Sequence, residues 1–298
     1  MLLLTVLATC LVGCSRGSGS DADGARLGPD RAPDGLPPLR QGALEAVRTF
    51  AFGLGVDPLD HAAIERLGRY DLVAVDGSAT NAQVAALHRR GALVLGYLSV
   101  GTVEPYRAWY ATAKRNGWLL EHWDEWDEWY VEVSEPGYRD LLVAEAKRQR
   151  AVGFDGVFLD NTDMIDTHPA QAAGMAEAVA ALDEAVGPKG LLFAQNGDTV
   201  VDRFVAHLDG WNREDVTETY DFDAKRYVPV DASDHRQALA TLRRLRKAGL
   251  LVTATDYTKP GDTSTIATAT ADACRSGAIP FASNIDLSRI PATPPACA

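Results

Sequence analysis

Basic residues are scarce in this chain: 29 Lys and Arg stand against 41 Asp and Glu, a formal net charge of -12. A surface of that sign repels phosphate backbones, and no Lys/Arg-rich stretch compensates locally, so nucleic acid is not an expected partner. Metal-ligand spacing is also missing. The six histidines, at 61, 88, 122, 168, 207 and 235, form no H-x-H or H-E-x-x-H pattern, which argues against a zinc hydrolase. No Gly-rich phosphate loop follows any apolar run, which removes the main feature of a dinucleotide-binding sheet. There is no G-x-S-x-G elbow, and Ser99, in YLSVG, has no convincing histidine partner for nucleophilic serine chemistry.

Cysteine is sparse too, at four residues. The N-terminal run MLLLTVLATCLVGC is too short to span a bilayer and reads as a signal segment over residues 1–13. Its end, Leu-Val-Gly-Cys, resembles the lipobox of bacterial lipoproteins, which makes Cys14 the expected lipid-bearing first residue of a mature, membrane-anchored chain; cleavage as a plain secretory signal is the alternative. With Cys10 removed and Cys14 lipidated, Cys274 and Cys297 remain to pair. Export would place them where disulfides persist, and closing such a loop contributes about 3 kcal/mol in the chain-entropy model. Residues 14–40, with GSGSDADG and PDGLPPLR, hold almost nothing apolar and read as a flexible tether.

From residue 41 to 298 the composition is that of one globular domain. Apolar runs of strand length recur at 47–53, 71–75, 92–98, 154–159, 190–194, 207–211, 249–254 and 278–282. Helix-period segments separate most of them, at 59–68, 80–90, 136–151, 169–186, 234–248 and 263–276. That alternation predicts a parallel sheet, and its count predicts a (β/α)8 TIM barrel, with an open doubly wound sheet as the structural rival.

Polar residues gather where these strands end. The run GFDGVFLDNTD passes from Val157, Phe158 and Leu159 straight into Asp160, Asn161 and Asp163. Asp76 follows the second strand, Tyr97 and Ser99 the third, Asn196 and Asp198 the fifth, Asn212 and Glu214 the sixth, Asp256 and Tyr257 the seventh, and Asn284 and Asp286 the eighth. Singly, each is an ordinary loop or N-cap residue. Together they form the ring of carboxylates, amides and phenols that glycoside hydrolysis uses, with two carboxyl groups flanking the bond. Asp160 and Glu214 are the expected pair, since strands four and six can face each other across a barrel mouth. Asp163 and Asp215 are the alternatives to each. An oxygen-only cation site on Asp155, Asp160 and Asp163 also stays open, although Asp155 begins its strand and should face the other end.

Five of the six tryptophans lie between Trp109 and Trp129. A loop carrying Trp118, Trp123, Trp126 and Trp129 after the third strand would lie over the barrel mouth, where indole faces stack on sugar rings; the competing reading packs them against the barrel wall. The acids among them, Glu121, Asp124, Glu125, Asp127 and Glu128, favour a cationic sugar or simply form a solvated face.

VAVDG, VLGYLSVG, GFDGVFLDNTD, FAQNG, WNRED and VTATDYT, in this order and spacing, resemble the glycoside hydrolase family typified by endo-α-1,4-polygalactosaminidase, over about residues 70–284. The resemblance implies a barrel enzyme that cuts α-1,4-linked galactosamine polymers internally and needs no cofactor or metal. It implies Asp160 as nucleophile and Glu214 as acid/base, hence retention. Asp76, Tyr97, Asn161, Asp163, Asn196, Asp256, Tyr257 and Asn284, with Trp118 and Trp123, would line the cleft. A non-catalytic cell-surface carbohydrate-binding protein on the same barrel is the alternative. Nothing in the sequence asks for a dimer, and a monomer is expected.

Overall fold

A computed structural model describes residues 42–57 and 59–297. The expected signal segment, the tether and Cys14 lie outside the described residues. Eight parallel strands form one sheet: β1 (Phe50–Phe52), β2 (Leu72–Asp76), β3 (Leu93–Ser99), β7 (Gly156–Asp160), β8 (Leu191–Gln195), β9 (Gly210–Glu214), β12 (Leu251–Tyr257) and β13 (Ile279–Ser283). They are hydrogen-bonded in that order, and β1 lies against β13, so the sheet curls into a nearly closed barrel. The (β/α)8 expectation and its eight strands therefore stand.

Helices α1 (His61–Leu67), α2 (Asn81–His88), α4 (Pro136–Val152), α6 (Ala172–Val186), α7 (Ala232–Lys247) and α8 (Thr263–Arg275) supply the crossovers. Two short ones, α3 (Tyr110–Arg115) and α5 (Met164–Thr167), sit in the connections after β3 and β7. Their starts are set locally. Thr80 caps α2 through a capping box with Gln83, and Asp60 and Asp262 cap α1 and α8 with their carboxylates.

Period-2 alternation divides the strand residues between two cores. Val157, Leu159, Leu192, Ala194, Trp211, Val252 and Ala254 point outward and are buried with Leu142, Val179 and Leu242 of the surrounding helices. Phe158, Phe193, Phe281 and Tyr97 belong to the other core, together with Phe50 and Phe52. There the rings of Phe50 and Phe158 stack at 6.3 Å, Phe52 meets Phe158 at 4.9 Å, and Tyr97 stacks above Phe52 at 6.4 Å. The interior is thus filled from below by aromatic rings, and polar side chains take over only at the strands' C-terminal ends.

Three details differ from the sequence reading. The sixth strand is Gly210–Glu214 rather than 207–211, because Val205–His207 forms a 3-10 turn, and Glu214 becomes the last residue of the strand. The tryptophan-rich stretch is a hairpin, β5 (Leu119–Trp123) and β6 (Glu128–Val131), joined antiparallel to β4 (Thr102–Val103). A second hairpin, β10 (Glu218–Asp221) and β11 (Arg226–Pro229), follows β9, where no element was expected. At the far end of the domain a disulfide joins Cys274 to Cys297, with Cα atoms 5.5 Å apart.

Candidate active site

Asp160 and Glu214 end β7 and β9, and alternation places each on the inward face: Asp160 two residues after Phe158, Glu214 two after Asn212. The next residue in each case is in the left-handed region, Asn161 at φ 56° and Asp215 at φ 53°; Asn196, after Gln195 of β8, is at φ 58°. Asn and Asp tolerate that conformation better than other side chains. Three strands therefore end the same way, an inward polar residue followed by an Asn or Asp that turns the chain. Gly101 allows the close approach this needs, since a Cβ there would lie 2.0 Å from the Asn161 carbonyl oxygen.

Asp160 accepts three hydrogen bonds: Tyr97 Oη donates to Oδ2 at 2.7 Å, while Gln195 Nε2 at 2.6 Å and the Asn161 amide at 2.7 Å donate to Oδ1. Gln195 is held in turn by Asn212 Nδ2, which donates to its Oε1 at 3.1 Å, and Asn212 Oδ1 accepts from Thr253 and Thr255 of β12 at 2.7 and 3.1 Å. Burial pushes the Asp160 carboxyl above its ordinary value, and these three donors, all favouring the ionised form, oppose that.

Glu214 has a different environment. Tyr257 Oη donates to Oε1 and Asn196 Nδ2 to Oε2, the latter at 2.8 Å; Asn196 Oδ1 accepts the Glu214 amide at 3.1 Å. Burial first, then the charges of Asp160 and Asp215, push its pKa up to about 8. Burial raises both carboxyls, Asp160 against three hydrogen-bond donors and Glu214 against two with the charges of Asp160 and Asp215 beside it.

These residues open into a cleft of about 430 Å³. Of the sequence-predicted set, Tyr97, Trp123, Asn161, Asp163, Asn196 and Tyr257 line it with the two carboxylates. Asp163, raised to about 7 by burial and the Asp160 charge, and Asp215, also raised by burial, both face the same space.

Four expected members do not line it. Asp256 faces outward, because Thr255 and Tyr257 take the inward positions of β12; it accepts the amides of Thr217 and Glu218 at 2.6 and 2.9 Å and pins the start of the β10–β11 hairpin. Asp76 pairs with Arg107 at 2.9 Å, and although burial pushes its carboxyl up, Arg107 and Ser78 hold it below the ordinary value. Asn284 Oδ1 accepts the amides of Ser288 and Arg289 and shapes the turn after β13. Trp118 packs edge-on against Tyr138 of α4 at 6.4 Å. The oxygen-only cation set is separated as well: Asp155 Oδ2 accepts the Val94 amide at 2.7 Å, a strand's length from Asp160. Among the described residues, no group of three or more His, Cys, Asp and Glu is arranged to hold a metal ion.

Gln195, Tyr220 and Phe222 line the cleft without having been singled out, and Trp126 and Glu128, named only as members of the tryptophan-rich loop, line it too. Alternation from Phe193 would have found Gln195. Glu128 reaches the site because β6 folds back over β4; Thr102 Oγ1 donates to it at 2.5 Å, and burial and the Glu104 charge push it up to about 8. Tyr220 and Phe222 depend on a hairpin whose short strands leave little mark in the sequence.

Among solved structures, the glycoside hydrolase domain of PelA from Pseudomonas aeruginosa is similar, with a TM-score of 0.71 at 23% identity over 81% of this chain and 96% of that one. Ega3 of Aspergillus fumigatus, solved in complex with galactosamine, gives a TM-score of 0.65 at 18% identity, covering 80% and 92% of the two chains. An uncharacterized protein of Deinococcus radiodurans is 28% identical over 271 residues, 85% of this chain and 86% of its own length. Residues 41–293 match the model of glycoside-hydrolase family GH114. The chain belongs to glycoside-hydrolase family GH114, and it is a glycoside hydrolase built on a (β/α)8 barrel.

Proposed function

We propose that the chain hydrolyses the internal α-1,4 linkages of a galactosamine polymer, with Asp160 as nucleophile and Glu214 as acid/base. The observation that carries this reading is a pair of inward-facing, buried carboxyl groups in one cleft, Asp160 held by three hydrogen-bond donors and Glu214 pushed up to about 8 by burial and its acidic neighbours. Asp160 attacks the anomeric carbon as the C1–O bond breaks, and the Glu214 proton passes to the departing oxygen. Glu214 then takes a proton from water, whose oxygen displaces Asp160 from the anomeric carbon with net retention. The galactosamine in the Ega3 complex supports the sugar class, and the carboxylates of the cleft suit a cationic chain. Export, lipid anchoring through Cys14 and action as a monomer complete the proposal.

The test is reducing-end release from α-1,4-linked polygalactosamine by the wild type, Asp160→Asn and Glu214→Gln. Release should fall on the order of 10²–10⁴-fold in both variants. Retained activity in Asp160→Asn with loss in Asp163→Asn would move the nucleophile. No release by the wild type from the free or acetylated polymer, with binding intact, would favour the carbohydrate-binding reading.

A further inference from the structure

The two hairpins leave the barrel from nearly opposite sides. The β5–β6 hairpin belongs to the connection after β3, third in the sheet order, and the β10–β11 hairpin follows β9, the sixth. Their tips meet: Trp126 and Phe222 are in edge-to-face contact with ring centroids 5.4 Å apart. Both rings line the same cleft as Asp160 and Glu214. The lining continues on either side of this contact, to Asp163 and Asn196 above β7 and β8, and to Leu54 and Leu287 beside β1 and β13. The rings therefore form an arch, and the cleft runs beneath it.

Each arm is braced within itself. In one tip, His122 Nδ1 and Nε2 lie 2.6 and 3.0 Å from Asp124 and Asp127; in the other, Asp221 accepts the Ala224 amide at 2.8 Å, and Phe222 packs on Tyr220 at 5.2 Å. Among the described residues, the pair of Trp126 and Phe222 is the one aromatic contact between the arms. Trp126 is 43% exposed and Phe222 39%, unlike the rings that fill the barrel. An edge-to-face ring contact is a weak closure that thermal motion of hairpin tips can break.

We propose that Trp126 and Phe222 are a clasp that opens to admit an amino-sugar chain and closes over it, so that one encounter yields several cuts before the polymer escapes. This rests on the hydrolase reading above. A chain held under the arch meets the carboxylates again at the high effective concentration of a tethered ligand, whereas a chain in an open groove diffuses away. An oligosaccharide short enough to enter from one side needs no clasp.

The experiment compares wild type, Trp126→Ala, Phe222→Ala and the conservative Trp126→Phe on polygalactosamine and on a short galactosamine oligomer. Soluble oligomers released and the mean length of the remaining polymer are measured at equal reducing-end yield. The wild type and Trp126→Phe should release oligomers while the remaining polymer stays long. Both alanine variants should shorten the polymer early, with the ratio of oligomers to new polymer ends down by about an order of magnitude, and should lose less rate on the short oligomer than on the polymer. Identical product patterns in all four proteins would overturn the clasp. So would equal loss on oligomer and polymer, which would make the rings ordinary subsite contacts. A wild type inert on both substrates would remove the galactosamine-polymer reading and the clasp with it.

Discussion

Tyr97 Oη donates to Asp160 Oδ2 across 2.7 Å, and the same tyrosine ring stacks on Phe52 at 6.4 Å, so the proposed nucleophile is positioned by the top layer of the barrel's aromatic filling. Tyr97→Phe keeps the ring and removes one donor that favours ionisation of the carboxyl. Because that donor lowers the Asp160 pKa, the acid limb of kcat/KM should move to higher pH, with little change in melting temperature. A pH-rate profile that superimposes on the wild type would mean the hydroxyl does not act on the reaction.

Tyr257 donates to Glu214, a bond that also favours ionisation and opposes the burial that pushes this group up to about 8. In Tyr257→Phe the Glu214 pKa should rise further. The alkaline limb of the profile, expected near pH 8 in the wild type, should shift upward while kcat falls, since a weaker acid transfers its proton less readily.

Stability should decline as pH rises from about 4.5 to 8. Glu214 and Glu128 are pushed up to about 8, and Asp163 and Asp256 to about 7, in every case by burial first. A carboxyl raised in the native state holds its proton where the unfolded chain has released it, so its contribution is complete below the unfolded pKa and lost as pH passes the folded one. Denaturant midpoints measured across that range should fall steadily. Glu128→Gln should flatten the part of the curve that approaches pH 8.

Asp256→Ala should act on stability before chemistry. It strips the amides of Thr217 and Glu218 of their acceptor, at a cost of about 1–3 kcal/mol each where the group is left buried and unpaired. The melting temperature should drop, and limited proteolysis should cut near the β10–β11 hairpin. A fully stable variant that binds substrate weakly would instead place Asp256 in the cleft.

Asp160 was legible in the sequence because an apolar strand ran into it, and Glu214 because strands four and six can face each other across a barrel mouth; parity with Asn212 puts it on the inward face once the sixth strand is Gly210–Glu214. The same rule, carried through β12, assigns Tyr257 inward and Asp256 outward; position after an apolar run was a poorer guide there than the parity of the strand. Trp118 and Trp123 were indistinguishable as letters. Only the hairpin's pairing turns Trp123 to the cleft and Trp118 onto Tyr138.

The sequence by itself determined the alternation of strand and helix, the inward parity of Phe158 and Asp160, and the Asn or Asp that ends three of the strands, because these follow from periodicities of 2 and 3.6 and from local backbone preference. The tertiary structure decided which distant groups share a hydrogen bond, so that Tyr97 and Gln195 meet Asp160 and Tyr257 meets Glu214. It also decided that the tips of two hairpins about a hundred residues apart touch over the cleft. Such contacts depend on barrel closure, which brings strands together irrespective of their separation along the chain.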